Sequence, residues 1–243
     1  MRHRFHTPLP ATVDEPVTLT GDEAHHAARV VRVREGEEVE LFDGHGRAAT
    51  GVITSIGRDV VVQLRGEVPA RESRLDVTLA MAVINLEKFE LVLQKGTELG
   101  MRAFVPLVTD RVELRKERYA GKMERWNRVI LEAVKQCGRA TIPSLEEPAP
   151  FDDVVGRDGV KILFDLDETP APATAPAAVT ILIGPEGGWS ERELKLARER
   201  GVHIERLGPR RLRAETAAIV AGTIVAARWG DLTESSALRT GAI

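Results

Sequence analysis

Cysteine is almost missing from this chain of 243 residues: Cys137 stands alone, so no disulfide can close within it and no multi-cysteine zinc site can be built. Lysine is missing from the first 74 residues, where all ten cations are arginines. No apolar run approaches the roughly 18 residues needed to cross a bilayer, and the opening MRHRFHTPLP carries charge with no apolar stretch behind it. These absences argue against a disulfide-stapled module, a membrane span and a secretory leader, and the expectation is a cytoplasmic protein. No internal repeat is evident. What is present is ordinary for a folded protein, with 43% hydrophobic and 29% charged residues, and the length allows one large domain or a small one plus a medium one.

The formal charge of −3 is low for a nucleic-acid binder, which needs Lys and Arg against phosphate. Its distribution is uneven. Asp110 to Arg139 holds nine basic residues against five acidic ones, whereas Ser144 to Ala178 holds eight acids and only Arg157 and Lys161. Most of the negative balance therefore sits in one stretch with the look of a surface connection.

Residues 1–72 read as a β-rich module. PVTLT before Gly21, EEVELFDG, RAATGVITSIG and DVVVQLRG are short strands with turn punctuation. Asp22 caps a predicted short helix through Ala24, Ala27, Ala28 and Val31, which also carries His25, His26, Arg29, Arg32 and Arg34. Five of the six histidines lie in this module. Its arginines suit phosphate and base edges, and a plain solvated face is the alternative.

After the polar stretch Pro69 to Arg74 the pattern switches to strands alternating with helices, the mark of a parallel α/β sheet, here assigned to residues 73–243. Leu75–Ile84 is a buried-type strand, Glu87–Leu99 a helix that Gly100 can stop, and Ala103–Val108 the next strand. Glu117 to Ala140 places Tyr119, Met123, Trp126, Ile130, Ala133 or Val134, and Cys137 on one apolar helical stripe, which makes Cys137 a core residue rather than a nucleophile. Pro148–Val155 and the alanine-proline string Thr169–Ala178 read as loops, and Lys161–Asp165 and Val179–Ile183 as short buried strands.

ILIGPEGGWSERE, Ile181 to Glu193, carries the most information. A strand runs into Gly184, Pro185, Glu186, Gly187 and Gly188, and Ser190 with Glu193 forms a capping-box pattern for the helix that follows. Such a loop sits at the carboxyl end of a strand, where open α/β sheets bind ligands. It lacks the G-x-G-x-x-G spacing of a dinucleotide site and the G-K-[ST] of a phosphate loop. A second strand, Val202–Leu207, enters Gly208, Pro209, Arg210, Arg211, Leu212, Arg213, Ala214, Glu215 and Thr216 and then an apolar helix, Ala217–Trp229. In that helix Ile219, Gly222, Thr223, Ala226 and Ala227 make a small-residue surface, suited to internal packing or to a homodimer seam.

KGTELG (Lys95–Gly100), KQCGRA (Lys135–Ala140), IGPEGGWS (Ile183–Ser190) and LGPRRLRAETA (Leu207–Ala217), in that order and after an opening RFHTP, resemble the signature blocks of the RsmE family of ribosomal RNA methyltransferases. Two positions depart from the pattern: Ala214 stands where threonine is expected and Lys135 where glutamate is frequent. The resemblance implies a PUA-like β-barrel over residues 1–72 and a SPOUT domain over 73–243, a parallel sheet with a trefoil knot that holds S-adenosylmethionine bent. It also implies a homodimer acting on 16S ribosomal RNA in the small ribosomal subunit, with no metal. The implied cofactor set is Ile183, Gly184, Pro185, Gly187, Gly188, Leu207, Gly208, Leu212, Arg213, Ala214 and Thr216, with Leu163 and Phe164 at a nearby strand end. The implied RNA-facing set is Arg2, His3, Arg4, Arg29, Arg32, Arg34, Gln136, Arg139 and Arg210.

The family's reaction is methylation of uridine N3. A sulfonium methyl is already activated, so the enzyme's work is positioning and removal of the N3 proton. Arg213 is the expected cation beside the uracil oxygens, and Glu215 or Glu186 the proton acceptor. Each carboxylate has another reading, Glu186 as a cofactor contact and Glu215 as a helix-terminal charge. Rival classes are a non-catalytic RNA-binding or ribosome-assembly dimer, a nucleotide enzyme using the Gly184–Gly188 loop, and a SPOUT methyltransferase with another RNA target.

Overall fold

Alternating apolar positions in the first seventy residues produce a small sheet with one packed face. The computed structural model describes residues 2–69, 71–83, 85–112, 121–165, 172 and 174–232. The chain divides into two compact units, Met1–Glu72 with Val134–Ile142, and Ser73–Ala133 with Pro143–Ile243. The division between Glu72 and Ser73 lies inside the polar stretch that interrupts the sequence pattern. The return of Val134–Ile142 to the first unit has no counterpart in the sequence reading.

The first unit holds β1 (His3–His6), β2 (Pro16–Leu19), β3 (Glu38–Phe42), β4 (Ala48–Ile56) and β5 (Val60–Val68) in the order β1-β3-β4-β5-β2. Only β1 and β3 run parallel, and β1 was not anticipated. Phe5, Leu19, Val39, Leu41, Ile53, Val60 and Val62 point to one side and are essentially sealed from solvent. Burying such a side chain stabilises the fold by about 1.5–3 kcal/mol. The helical segment starts two residues earlier than expected: Thr20 is the N-cap and Asp22 lies in the first turn of α1 (Gly21–His25). Its continuation, His26–Val31, widens into a π-helical turn that ends at Arg32 with φ +60°.

Within this unit the returning segment is held by buried charge. Arg4 pairs with Glu40 at 2.8 Å and donates to the carbonyls of Val134 at 2.7 Å and Arg139 at 2.8 Å. Glu72 accepts from the backbone N–H groups of Ala140 and Thr141, each at 2.8 Å, and pairs with Arg139 at 2.9 Å. A carboxylate with this many donors helps to fix a segment whose Thr141 also makes isolated bridges to Gly44 and His45.

The second unit contains β6 (Asp76–Ala82), α2 (Leu86–Glu98), β7 (Ala103–Val108), β8 (Ser144–Leu145), β9 (Ala149–Pro150), α4 (Phe151–Gly156), β10 (Val160–Phe164), β11 (Ala178–Ile183), α5 (Glu191–Glu199), β12 (His203–Glu205) and α6 (Ala214–Trp229). The helix α3, Lys122–Cys137, enters the first unit with its last turn. The strand order is β12-β10-β11-β6-β7-β8, with β9 also on β7, and every pairing is parallel. Parallel strands covered on both faces read as continuous apolar runs, as β6, β7 and β11 do.

One cluster joins Ala80, Val105, Leu163 and Leu182 of the sheet to α4 and α5. Near the other helices, Phe89 of α2 meets Trp126 of α3 edge-on at 4.7 Å. The expected loop Pro148–Val155 is corrected here: Phe151, Val154 and Val155, at helical spacing, fill the core as α4. Tyr119, the start of the predicted helix at 117–120, and 169–171 and 173 of the alanine-proline string lie outside the described residues. Among the described residues, no helix is long and apolar enough to cross a membrane.

Candidate active site

The two glycine turns leave the carboxyl ends of β11 and β12, and these strands are not neighbours. Both pair with β10, one on each side. Local periodicity does not encode strand order, so the sequence alone could not place β10 between them. Two inter-strand spacings separate the turns by about 10 Å, which leaves room for a planar base between them above the end of β10.

A cleft of about 710 Å³, counting its open mouth, occupies that position. Of the expected cofactor residues it is lined by Phe164, Ile183, Gly184, Pro185, Gly188, Leu207, Gly208, Leu212 and Ala214, and also by Glu186 and Arg210. Leu163, Gly187, Arg213 and Thr216 are not in its wall. Leu163 points into the core, and Arg213 and Thr216 lie exposed at the start of α6. Asp165, of the strand end expected nearby, lines the cleft too, and so do Trp189, Arg206, Arg211 and Ala217, which were not anticipated.

Each turn is fixed by chemistry the residues themselves supply. Gly188 closes the first with its N–H on the Pro185 carbonyl at 2.8 Å and φ +71°, a conformation that penalises any Cβ. Trp189 is buried, donates its indole N–H to the Phe164 carbonyl at 3.2 Å, and fills the space a side chain at Gly184 would need. Arg111 donates to the Gly187 carbonyl. Below the turn, Ser190 caps α5 with both halves of the capping box formed. The second turn is held by Arg206, which donates to the Gly208 carbonyl at 3.0 Å, while Arg228 grips Glu205 with bonds of 2.7 and 3.0 Å.

The candidate proton acceptors share one cation. Lys88, in the first turn of α2, lies 3.5 Å from Glu186 and 3.3 Å from Glu215. Partial burial works to raise the Glu215 pKa, but its own backbone N–H, Lys88 and Arg213 outweigh this and hold it below the ordinary value. Glu215 is therefore held as a carboxylate by the donors and cations around it. Lys88 was missed because its partners lie 98 and 127 positions away in sequence.

The expected RNA-facing residues divide. Arg29, Arg32 and Arg34 are exposed on the first unit, Gln136 is exposed on α3, and Arg2 and His3 make exposed pairs with Glu38 and Glu37. Arg4 and Arg139, with side chains 7% and 5% exposed, are committed to Glu40 and Glu72, so they are structural residues instead. Among the described residues, no group of three His, Cys, Asp or Glu side chains could hold a metal ion.

The chain carries a small β-module and a parallel sheet with a glycine-lined cleft over its strand ends, and its class is that of the RNA methyltransferases. The family model described as RNA methyltransferase domain matches residues 71–226, and that described as RNA methyltransferase PUA domain matches 19–62. The chain belongs to the ribosomal RNA small subunit methyltransferase E family. It is 32% identical to that protein of Synechocystis over 86% of this chain and 72% of the relative, and 33% identical to that of Mycobacterium bovis over 87% of each. The Neisseria gonorrhoeae member, solved bound to S-adenosyl methionine, superposes with a TM-score of 0.88 at 29% identity, covering 96% of this chain and all of that one.

Proposed function

We propose that this chain methylates N3 of a uridine in the 16S ribosomal RNA of the small subunit, using S-adenosylmethionine held in the cleft between the two glycine turns. The observation that carries this reading is the cleft itself. Its lining combines the main chain of Gly184, Gly188 and Gly208 with apolar walls of Ile183, Pro185, Leu207 and Leu212, the carboxylates of Asp165 and Glu186, and Arg206, Arg210 and Arg211. That donor set fits an adenosine with a short zwitterionic tail. When bound, S-adenosylmethionine supplies a methyl group already activated for in-line transfer, the C–S electron pair staying on sulfur as the N–C bond forms.

The chain's own residues position the uracil and take its N3 proton. Glu186, 58% exposed and on the cleft wall where Glu215 is not, is the carboxylate placed to take that proton, directly or through a water. Arg213, at the N-cap of α6, faces the uracil side, and Arg210 with the exposed Arg29, Arg32 and Arg34 meets the RNA backbone. The knotted path of SPOUT proteins, a cytoplasmic location and a homodimer belong to the same reading. Support for the dimer comes from α6, an apolar helix whose outer face keeps Ile219, Val220 and Ile224 only partly buried. Gly222 and Ala226, expected in that seam, face inward and are buried.

Mass mapping of ribosomal RNA from cells with and without the protein tests the function. N3-methyluridine should disappear from one 16S position on deletion and return with the wild-type gene. An unchanged signal would remove the specific activity.

A further inference from the structure

We infer that Lys88 is a further catalytic residue, the cation that stabilises the uracil anion formed when N3 loses its proton. This rests on the uridine reading above. Lys88 is the third residue of α2 after the cap Asn85, whose side chain accepts from its backbone N–H at 3.2 Å. A cation there opposes the helix dipole, which favours negative charge at that end, so helix formation alone gives no reason for a lysine. The charge is compensated from elsewhere in the fold: Glu186 comes from the first glycine turn and Glu215 from the first turn of α6, at 3.5 and 3.3 Å.

An ammonium has three donors. The two carboxylates take two, and the third has no acceptor among the described residues. Lys88 is 34% exposed and Glu215 only 13%, so Glu215 anchors the pair while the ammonium keeps an open side. Glu186 itself stands on the cleft wall, so its pairing with Lys88 brings the ammonium to the edge of the cleft. A carbonyl oxygen of uracil adjacent to N3 can accept the third bond. As the N3 proton passes to Glu186, the negative charge spreads onto that oxygen, and a fixed ammonium stabilises it more than it stabilises the neutral base. The N3 lone pair then forms the N–C bond. Glu215, 13% exposed and outside the cleft wall, acts as a positioning residue for Lys88 and not as the base.

The test compares wild type, Lys88→Met and Lys88→Arg in methylation of 16S RNA in the small subunit, from neutral pH upward, with S-adenosylmethionine affinity and Tm measured alongside. Lys88→Met should lose about 100-fold or more in turnover at neutral pH, with cofactor affinity unchanged. Its deficit should shrink as pH rises and N3 ionises unaided, and also on RNA carrying the more acidic 5-fluorouridine. Lys88→Arg should recover most of the activity. A Lys88→Met enzyme with wild-type turnover, or with a deficit equal at every pH and on both RNAs, overturns the assignment. If wild type itself forms no N3-methyluridine, the functional reading fails instead. Should Lys88→Met not fold, the arginine variant decides: loss of turnover with a pH profile parallel to wild type counts against the role.

Discussion

A carboxylate wholly buried at the start of a helix has to be matched by donors. Glu193 is matched by two backbone N–H groups, Ser190 at 2.8 Å and Asp110 at 3.0 Å. Asp110 in turn accepts from the Ser190 hydroxyl at 2.6 Å and from Arg192 at 2.7 and 2.9 Å, and Arg192 reaches on to Asp152. The Arg192 bond first, and the Ser190 hydroxyl second, hold the Asp110 carboxyl at about 2, below the usual aspartate range. A depressed carboxylate stabilises the fold at and above the unfolded value of about 4, and that contribution is lost as pH falls through the folded value. Asp110→Asn should therefore melt below wild type at neutral pH. The gap in Tm should hold from pH 7 to about 4 and narrow below it. Thermal melts down to the lowest pH at which both proteins fold will read this, and a gap independent of pH would reject it.

At the level of elements, the strand-turn-helix unit around Gly188 was legible because several local signals agree there. An apolar run, a glycine turn and a capping box lie within thirteen residues, and the Ser190 cap forms as its residues dictate. β7 has the predicted bounds for the same reason, an unbroken apolar run between turns. β1 and α4 were not legible: four and six residues are too few to show a period, and β1 is a strand only because β3 is beside it. The ion pairs of Lys88 and the bonds from Arg111 and Arg206 to turn carbonyls were hidden too, since each depends on where a turn lands. The Gly188 turn carries its own test. A β-branched side chain at φ +71° costs at least the 1–2 kcal/mol of a left-handed residue, and the turn must then open. Gly188→Val should weaken S-adenosylmethionine about tenfold or more by isothermal titration while the protein stays folded, and an unaltered Kd would place the cofactor elsewhere.

The whole molecule poses a question no single element answers: why α6, at a sheet so well covered, is apolar on every side. Ala218, Ala221, Gly222 and Val225 account for the inner half, all buried. Thr216, Ile219, Val220, Thr223, Ile224 and Ala227 turn the other way, over about 140° of the helix, with no charge among them. Glu215 and Arg213 stand at the end of that face, so whatever covers it also borders the residues proposed to position Lys88 and the uracil. A second copy of the chain is the occupant that a symmetric, uncharged, small-residue face fits best. Two aspartates meeting across a two-fold axis would repel and go unpaired, whereas one on a monomer's surface costs little. Ile219→Asp should hence convert a dimer into monomers in sedimentation velocity, with methylation falling alongside. A wild type that sediments as a monomer at micromolar concentration, or a variant that remains dimeric, would leave α6 without this explanation.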